Sequence, residues 1–281
     1  MSTVDPDVAR KTWRTLEPIH GLIYFAPEAA ERYAALGINA RAGYFASRAA
    51  AMGPVPAEVV IATFFNFNPD LVRAGIPKAW EAAPTDRILQ ARLDAADAAL
   101  RRVLGDAVGT AEMKRAAALA RAAAEAATDH VDGRPLFAGH ARLEWPDEPH
   151  LVLWHAQTLL REYRGDGHVA ALTIAGLSGI EALVIHAATG EVPAQVLQAT
   201  RAWSDEQWAR GVDAVRARGW LTDGDELALS DAGAAHRKEV EDTTDRLAVD
   251  AYAALGDDGC AELRALARPF SKAVVASGTF R

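Results

Sequence analysis

The sequence predicts an all-α protein with a small β-wing, built as two winged helix-turn-helix units in tandem. Three observations point there. Half of the 281 residues are apolar but only 7% are aromatic, so Ala carries much of the apolar count; Ala is the best helix former and lets helix axes approach. Polar N-cap residues followed by apolar positions at helical spacing recur along the chain. Near the C-terminus, Asp223-Gly224 stands between two short apolar runs, a tight-hairpin signal, with helical patterns on both sides.

Composition sets the limits. The length gives room for one large domain or two of ordinary size. The single cysteine, Cys260, leaves no intramolecular disulfide and no cysteine-based zinc site, which suits a reducing compartment. No run approaches the ~18–20 uncharged apolar residues of a membrane span. The start, MSTVDPDVARKTW, lacks a basic segment followed by an apolar one, so a cytoplasmic protein without membrane contact is expected. A formal net charge of −8 runs against a dedicated nucleic-acid binder, which carries at least a basic face. A local patch stays open.

The first unit is read by alignment with the second. EPIHGLIYFAPEAAERYAALG (17–37) and DEPHLVLWHAQTLLREYRGDG (147–167) each read as a helix. Setting His20 against His150 also sets Tyr24 against Trp154 and Tyr33 against Tyr163. GYFASRAAAMGPVPAEVVIA (43–62) and GHVAALTIAGLSGIEALVIHAA (167–188) each read as helix, Gly-containing turn, helix. The stretch 76–105 then parallels 199–221, with Trp80 against Trp203. This preserved order implies a duplication. The join falls near GRPLFAGHARLEWPDEP (133–149), whose Pro and Gly are boundary chemistry. The units are therefore 1–145, with a degenerate wing, and 146–281, packed as one body about a pseudo-twofold axis.

The second unit is the more legible. In REYRGDGHVAAL, Gly165 reads as the end of one helix and Asp166 as the cap of the next. Ser178 with Glu181, and Ser204 with Gln207, have capping-box spacing. Trp208, Val212 and Val215 then share one helical face. WLTDGDELALSDAG (220–233) reads as two short strands around a turn, and a long helix begins near Ser230 and runs through AAHRKEVEDTTDRLAVDAYAAL.

The stretch RARGWLTDGDELALSDAGAAHRKEVEDTTDRLA (216–248) resembles the corresponding part of MarR-type regulators. There a recognition helix ends in Gly plus an apolar residue, a hairpin wing follows, and a turn of Ser or Thr, acid, small residue and Gly starts the last helix. The whole chain is similar to a mainly actinobacterial helix-turn-helix family built from a duplicated MarR-like domain. The words carrying that likeness are HGLIYFAPEAAERYAALG, GYFASRAA, RPLFAGHARLEWPDEPHLVLWHAQTLLREYRGDGHVAAL and EALVIHAATG. It implies a fold and no particular activity.

The resemblance also implies that Asp205 to Arg218 is the helix offered to a major groove. Arg201, Arg210, Arg216 and Arg218 are the candidate DNA contacts, opposed by Asp205, Glu206 and Asp213. Acids in the first turn suit the helix dipole but repel phosphate. The wing, LTDGDELALS, carries three acids and no Arg or Lys, unlike the usual basic wing tip. The equivalent helix of the first unit sets Arg87, Arg92, Arg101 and Arg102 against Asp86, Asp94 and Asp97. DNA is thus a weakly supported partner.

Six of the eight His fall between 130 and 186. On a helix over about 149–164, His150, Trp154 and Arg161 share one face, and His155 with Glu162 another. Three readings are open. A metal site lacks the i, i+4 or i, i+3 ligand pair that helices use, and no metal or cofactor is expected. Acid–base chemistry on a substrate would use Glu162 with His155 or His168, making the protein an enzyme of specialised metabolism. In the third, these groups satisfy one another where the two units meet.

TFFNFNPDL (63–71) adds an aromatic cluster in which Asn68 before Pro69 is a helix N-cap signature and Asn66 can point inward. The repeated pairs His20/Tyr24 and His150/Trp154 favour a pocket between the units for a small molecule. Asn66, His140 and Arg161 complete its polar contacts. Such a chain is a monomer with an internal pseudo-twofold, or a homodimer.

Overall fold

The computed structural model describes residues 4–224 and 226–280. Among them the chain forms fourteen α-helices and no β-strand. Helix α1 (Pro6–Gly21) begins with Pro at its first turn and is capped by Asp5, whose carboxylate accepts from the Asp7 N–H. The single helix expected over 17–37 is broken: a 3-10 turn covers Leu22–Tyr24, and α2 (Pro27–Ala34) starts afresh. Ala26 is extended because the residue before a proline is driven out of the α region.

Then come α3 (Ala40–Ala49), capped by Asn39, α4 (Ala57–Phe64), α5 (Pro69–Ala82), capped by Asn68, and α6 (Thr85–Leu104). The stretch 76–105, set against 199–221, covers the end of α5 and all of α6, divided where Ala83 is extended before Pro84. Helix α7 (Ala111–Ala127) follows a 3-10 turn at Gly105–Gly109, and α8 (Pro135–Ala141) is short.

Helix α9 (Pro149–Ile174) corrects a further expectation: it runs unbroken through Gly165 and Gly167. Gly167 is needed for close approach rather than for a helix end, since a Cβ there would lie 2.8 Å from the Arg134 guanidinium and 3.3 Å from Leu247 Cβ. Asp166 does not cap the helix after it. Its carboxylate accepts the buried Phe137 N–H at 2.9 Å, serving the N-terminus of α8 instead.

The remaining helices are α10 (Gly179–Ala187), α11 (Ala194–Arg201), α12 (Asp205–Ala217), α13 (Asp231–Ala248) and α14 (Gly256–Ala276). Both capping boxes, Ser178/Glu181 and Ser204/Gln207, are formed. The long last helix stops at Ala248, where a 3-10 turn (Val249–Tyr252) redirects the chain into α14. Between α12 and α13 the two expected strands reduce to one antiparallel bridge, Leu221 with Leu229, flanked by Thr222 N–H to Ala228 O and Ser230 N–H to Trp220 O, both at 3.0 Å. A two-stranded ribbon with no third strand beside it is marginal.

The element order repeats. Helices α3, α4, α5, α6, a 3-10 turn and α7 are matched by α10, α11, α12, α13, a 3-10 turn and α14, with the hairpin added after α12. Phe65 and Ala202, the two non-glycine residues of positive φ among the described residues, follow α4 and α11 respectively. This order sets α5, not α6, opposite α12. Helix α1 lies along α14 and α9 along α7, so each half lends its leading helix to the other. The larger core draws on residues 4 to 163 together with 251 to 274, and a smaller one gathers Leu172, Leu183, Val184, Trp208, Val215 and Val240. Among the described residues no single helix is long and apolar enough to cross a membrane.

Candidate functional site

The middle of α9 meets α3 at a buried ion pair. Arg48 reaches Glu162 with both arms, Nη2 to Oε2 at 2.7 Å and Nε to Oε1 at 3.1 Å, and its Nη1 donates to the Tyr44 hydroxyl at 3.0 Å. The Phe64 ring lies 4.4 Å from the guanidinium carbon. Burial pushes the Glu162 carboxyl up, but Arg48 and Arg161 outweigh it and hold it down to about 2. Such a carboxylate stays ionised and is a poor proton acceptor, so Glu162 is not placed as a general base. Arg161 bridges two acids, its Nε donating to Glu17 at 2.9 Å and its Nη1 to Glu162 Oε1 at 3.3 Å.

The histidines do not converge. His20 is fully buried, stacked on Trp154 (5.6 Å, 18°) and edge-on to Tyr24. Its Nε2 lies 3.3 Å from Arg92 Nη2. Burial, then Arg161 and Arg92, keeps its pKa well below the ordinary value. His140 bonds the Arg48 carbonyl at 3.1 Å, and burial brings it down to about 3. His150 faces Asp97 at 2.6 Å. His155 packs edge-on against Trp145, with burial lowering it to about 4. His168 bonds the Thr244 hydroxyl at 2.9 Å.

The structure therefore brings His20, Tyr24 and Trp154 together but sends His150 elsewhere, and the pairs His20/Tyr24 and His150/Trp154 do not surround one cavity. His155 and Glu162 have different partners and form no acid–base pair. Among the described residues no three His, Cys, Asp or Glu are grouped to hold a metal ion.

Two adjoining cavities do open beside this network. One, of about 440 Å³, is lined by residues of α1, α3, α4, α9 and α13, including Arg48, Asn66, Glu162 and His168. The other, of about 820 Å³, includes Tyr24, Phe45, Leu71 and Phe280. Trp13, Arg14, Tyr44, Phe67, Arg161 and Arg201 line both. Of the ligand residues expected from sequence, Tyr24, Asn66 and Arg161 line this space. His20, His140, His150 and Trp154 are buried behind it.

Most arginines on these walls have acids of their own: Arg48 has Glu162, Arg161 has Glu17, Arg164 has Asp245 at 2.7 Å, and Arg10 has Glu241 at 2.9 Å. Sequence reasoning missed Arg48, Arg164, Trp13 and Tyr44. One signal was available: Arg48 stands four residues after Tyr44 on an Ala-rich helix, where periodicity asks for an apolar residue.

The helix-turn-helix face is otherwise engaged. Arg210 pairs with Glu206 at 2.5 Å, Arg216 lies 3.8 Å from Asp213, and Arg218 pairs with Glu181 at 3.0 Å and donates to the Gly176 carbonyl. Arg201 points into the cavities instead. In the first half, Arg92 is buried over Trp154, while Arg101 and Arg102 pair with Asp97 and Glu28.

The starts of α5 and α12 are tied together. Asn68 Nδ2 donates to the Ala202 carbonyl at 2.9 Å and to Gln207 Oε1 at 3.0 Å, and the Trp203 indole donates to Asn66 O at 3.0 Å. Gly179 packs so tightly on the Phe65 carbonyl that a Cβ would lie 2.0 Å away. Successive major grooves on one face of a duplex lie about 34 Å apart, and two helices that enter them must be separated by that distance. Two helix starts in hydrogen-bond contact cannot do so.

Neither the curated proteins nor the solved structures contain a match to this chain. A family model does match, over residues 9–281: by it, the chain belongs to the Helix-turn-helix family.

Proposed function

We propose that the protein is a ligand-responsive, regulator-type member of its family, on a duplicated MarR-like winged-helix scaffold. It takes a small molecule in the cleft between its halves and does not grip DNA while α5 and α12 are tied together. The units are 1–145 and 146–281. The repeated element order and the exchange of leading helices, α1 onto α14 and α9 onto α7, support the duplication. The hairpin that follows α12 supports the reading of a wing there.

The observation that carries the ligand reading is the pair of adjoining cavities walled by Trp13, Tyr44 and Phe67 with arginines from both halves. Aromatic walls with a few convergent polar groups are what small-molecule sites look like. DNA contact has less support, because exposed Arg210, Arg216 and Arg218 are matched on the same face by Asp205, Glu206 and Asp213.

The test uses a neutral apolar probe, N-phenyl-1-naphthylamine. Saturable fluorescence enhancement is expected, weakened at least about fivefold, roughly 1 kcal/mol, in Phe67→Ala, because Phe67 lines both cavities. No saturable binding, or binding indifferent to Phe67, would remove the pocket.

A further inference from the structure

We infer that Arg92 holds a small inorganic monoanion of the halide class in the interior between α3, α6 and α9, with the Ser47 and Tyr24 hydroxyls as further donors. The site lies behind the cleft and does not depend on the cleft reading.

Three arginines are buried almost completely among the described residues: Arg48, Arg92 and Arg164. Arg48 has Glu162, and Arg164 has Asp245. Arg92, on α6 and 2% exposed, has no carboxylate within ion-pair distance among the described residues. Its Nη2 lies 3.3 Å from His20 Nε2, and its Nη1 is buried with no hydrogen-bond partner. The nearby acids are already matched, Glu162 and Glu17 against Arg48 and Arg161. Burial, with the charge of Arg92 adding to it, holds His20, His140 and His155 below their ordinary value, so the imidazoles around Arg92 are neutral.

The groups beside this cation can all donate. The Trp154 and Tyr24 rings lie 4.9 and 5.9 Å from its guanidinium carbon, and the Tyr33 hydroxyl approaches both Arg92 and Ser47. The Tyr24 and Ser47 hydroxyls and the Trp154 indole N–H are buried without hydrogen-bond partners. An indole N–H only donates, a hydroxyl can, and a guanidinium stays charged at any ordinary pH. Buried water satisfies orphaned donors but leaves the charge unmatched, and buried charges are paired because leaving them otherwise is costly. An anion meets both demands.

The walls set the size of the ion. Tyr33 is buried, and Gly43 lies against it so closely that a Cβ there would be 2.4 Å from the ring. His20, stacked on Trp154 at 5.6 Å, closes another side. Arg92, Ser47, Tyr33, His20 and Trp154 line neither of the two cleft cavities. The body of an organic acid has no place here. One guanidinium balances one charge, which favours a halide over sulfate or phosphate.

Crystals of the full chain grown in sodium bromide give the direct test. An anomalous peak within hydrogen-bond distance of Arg92 Nη1 is expected; a water there with no anomalous signal, or bromide at the surface alone, overturns the inference. In solution, urea unfolding is followed as chloride replaces gluconate at constant ionic strength, gluconate being too large for the site. The folding constant should rise by up to about tenfold for each tenfold increase in chloride, and Arg92→Met should remove that dependence. If Arg92→Met does not fold, Ser47→Ala, which deletes one donor and keeps the cation, should raise the chloride concentration of half effect at least about threefold. A chloride dependence that Arg92→Met, or Ser47→Ala in its place, leaves unchanged overturns the inference. So does a bromide peak without any chloride dependence, which would mark an adventitious ion only.

Discussion

Asn68 and Gln207, each within the first turn of its own helix, share one hydrogen bond across the two halves of the molecule. The Asn68 amide donates to Gln207 Oε1 at 3.0 Å while its carbonyl oxygen accepts the Asp70 N–H at 3.0 Å. Gln207 Oε1 also accepts the Ser204 N–H at 3.0 Å. Two helix caps are thus one structure, and the starts of α5 and α12 cannot separate without loss to both.

Asn68→Ala removes a cap and the tie at once. Stability should fall by about 1–2 kcal/mol, read from urea unfolding. If the tie is what withholds the helix-turn-helix face, this variant should bind fragmented genomic DNA severalfold more tightly than the parent at low salt. An unchanged DNA affinity would show that the tie does not gate that face.

The double change Arg216→Ala with Arg218→Ala separates phosphate contact from internal pairing. In the parent it should leave the salt dependence of any weak DNA binding unchanged, because Arg218 is held by Glu181 and Gly176. In the Asn68→Ala background it should lower the slope of log K against log salt by about one for each lost phosphate contact. A slope change already present in the parent would contradict the closed arrangement.

Glu162→Gln leaves Arg48 buried against Phe64 without its counter-charge. The expected loss is about 3–5 kcal/mol, while Arg48→Met combined with Glu162→Leu should recover most of it. Denaturant midpoints for the three variants check this. A fully stable Glu162→Gln protein that loses probe binding would instead assign the pair to the ligand.

Acid should unfold the protein early. His20, His140 and His155 are held below their ordinary value by burial, the latter two at about 3 and about 4. The unfolded chain takes up protons near pH 6.5 while the folded one does not, so their contribution is intact above pH 6.5 and is lost as pH falls toward 4. Asp166 runs the other way. Burial raises it to about 7, so its contribution is present below its ordinary value of 3.8 and is lost as pH rises through 7. Asp166→Asn, which keeps an acceptor for the Phe137 N–H, should therefore steepen the decline in Tm between pH 6.5 and 4. A Tm flat across that range in the parent would contradict the buried neutral histidines.

Local chemistry carried the second half of the sequence further than the first. The capping boxes at Ser178 and Ser204, the Asn68 cap and the start of the helix at Ser230 are written in short-range signals, and all are formed. The break at Ala26 was also written there, in Pro27, but lay inside strong helical periodicity that hid it. Gly165 and Gly167 misled for the opposite reason. Glycine signals a helix end when its backbone is needed, and at Gly167 what is needed is room for Arg134. The site was half legible: Arg161, Tyr24 and Asn66 line the cleft, but pairings such as Arg48 with Glu162 join residues far apart in the chain. Arg201 carried a misleading label, since a cation in the last turn of a helix reads as a surface residue whatever it points at.

Two residues, Ala83 and Pro84, carry the chain from α5 to α6, whereas a hairpin of more than ten carries it from α12 to α13. A homodimer presents each of its features twice, related by its twofold axis. Among the described residues the hairpin occurs once, after α12, so the two halves are unlike where the subunits of a homodimer are alike. For the cleft proposed above, the expected stoichiometry is one ligand molecule per chain. A nucleic acid that engaged both halves would meet unlike surfaces, and its sequence would have no reason to be a palindrome.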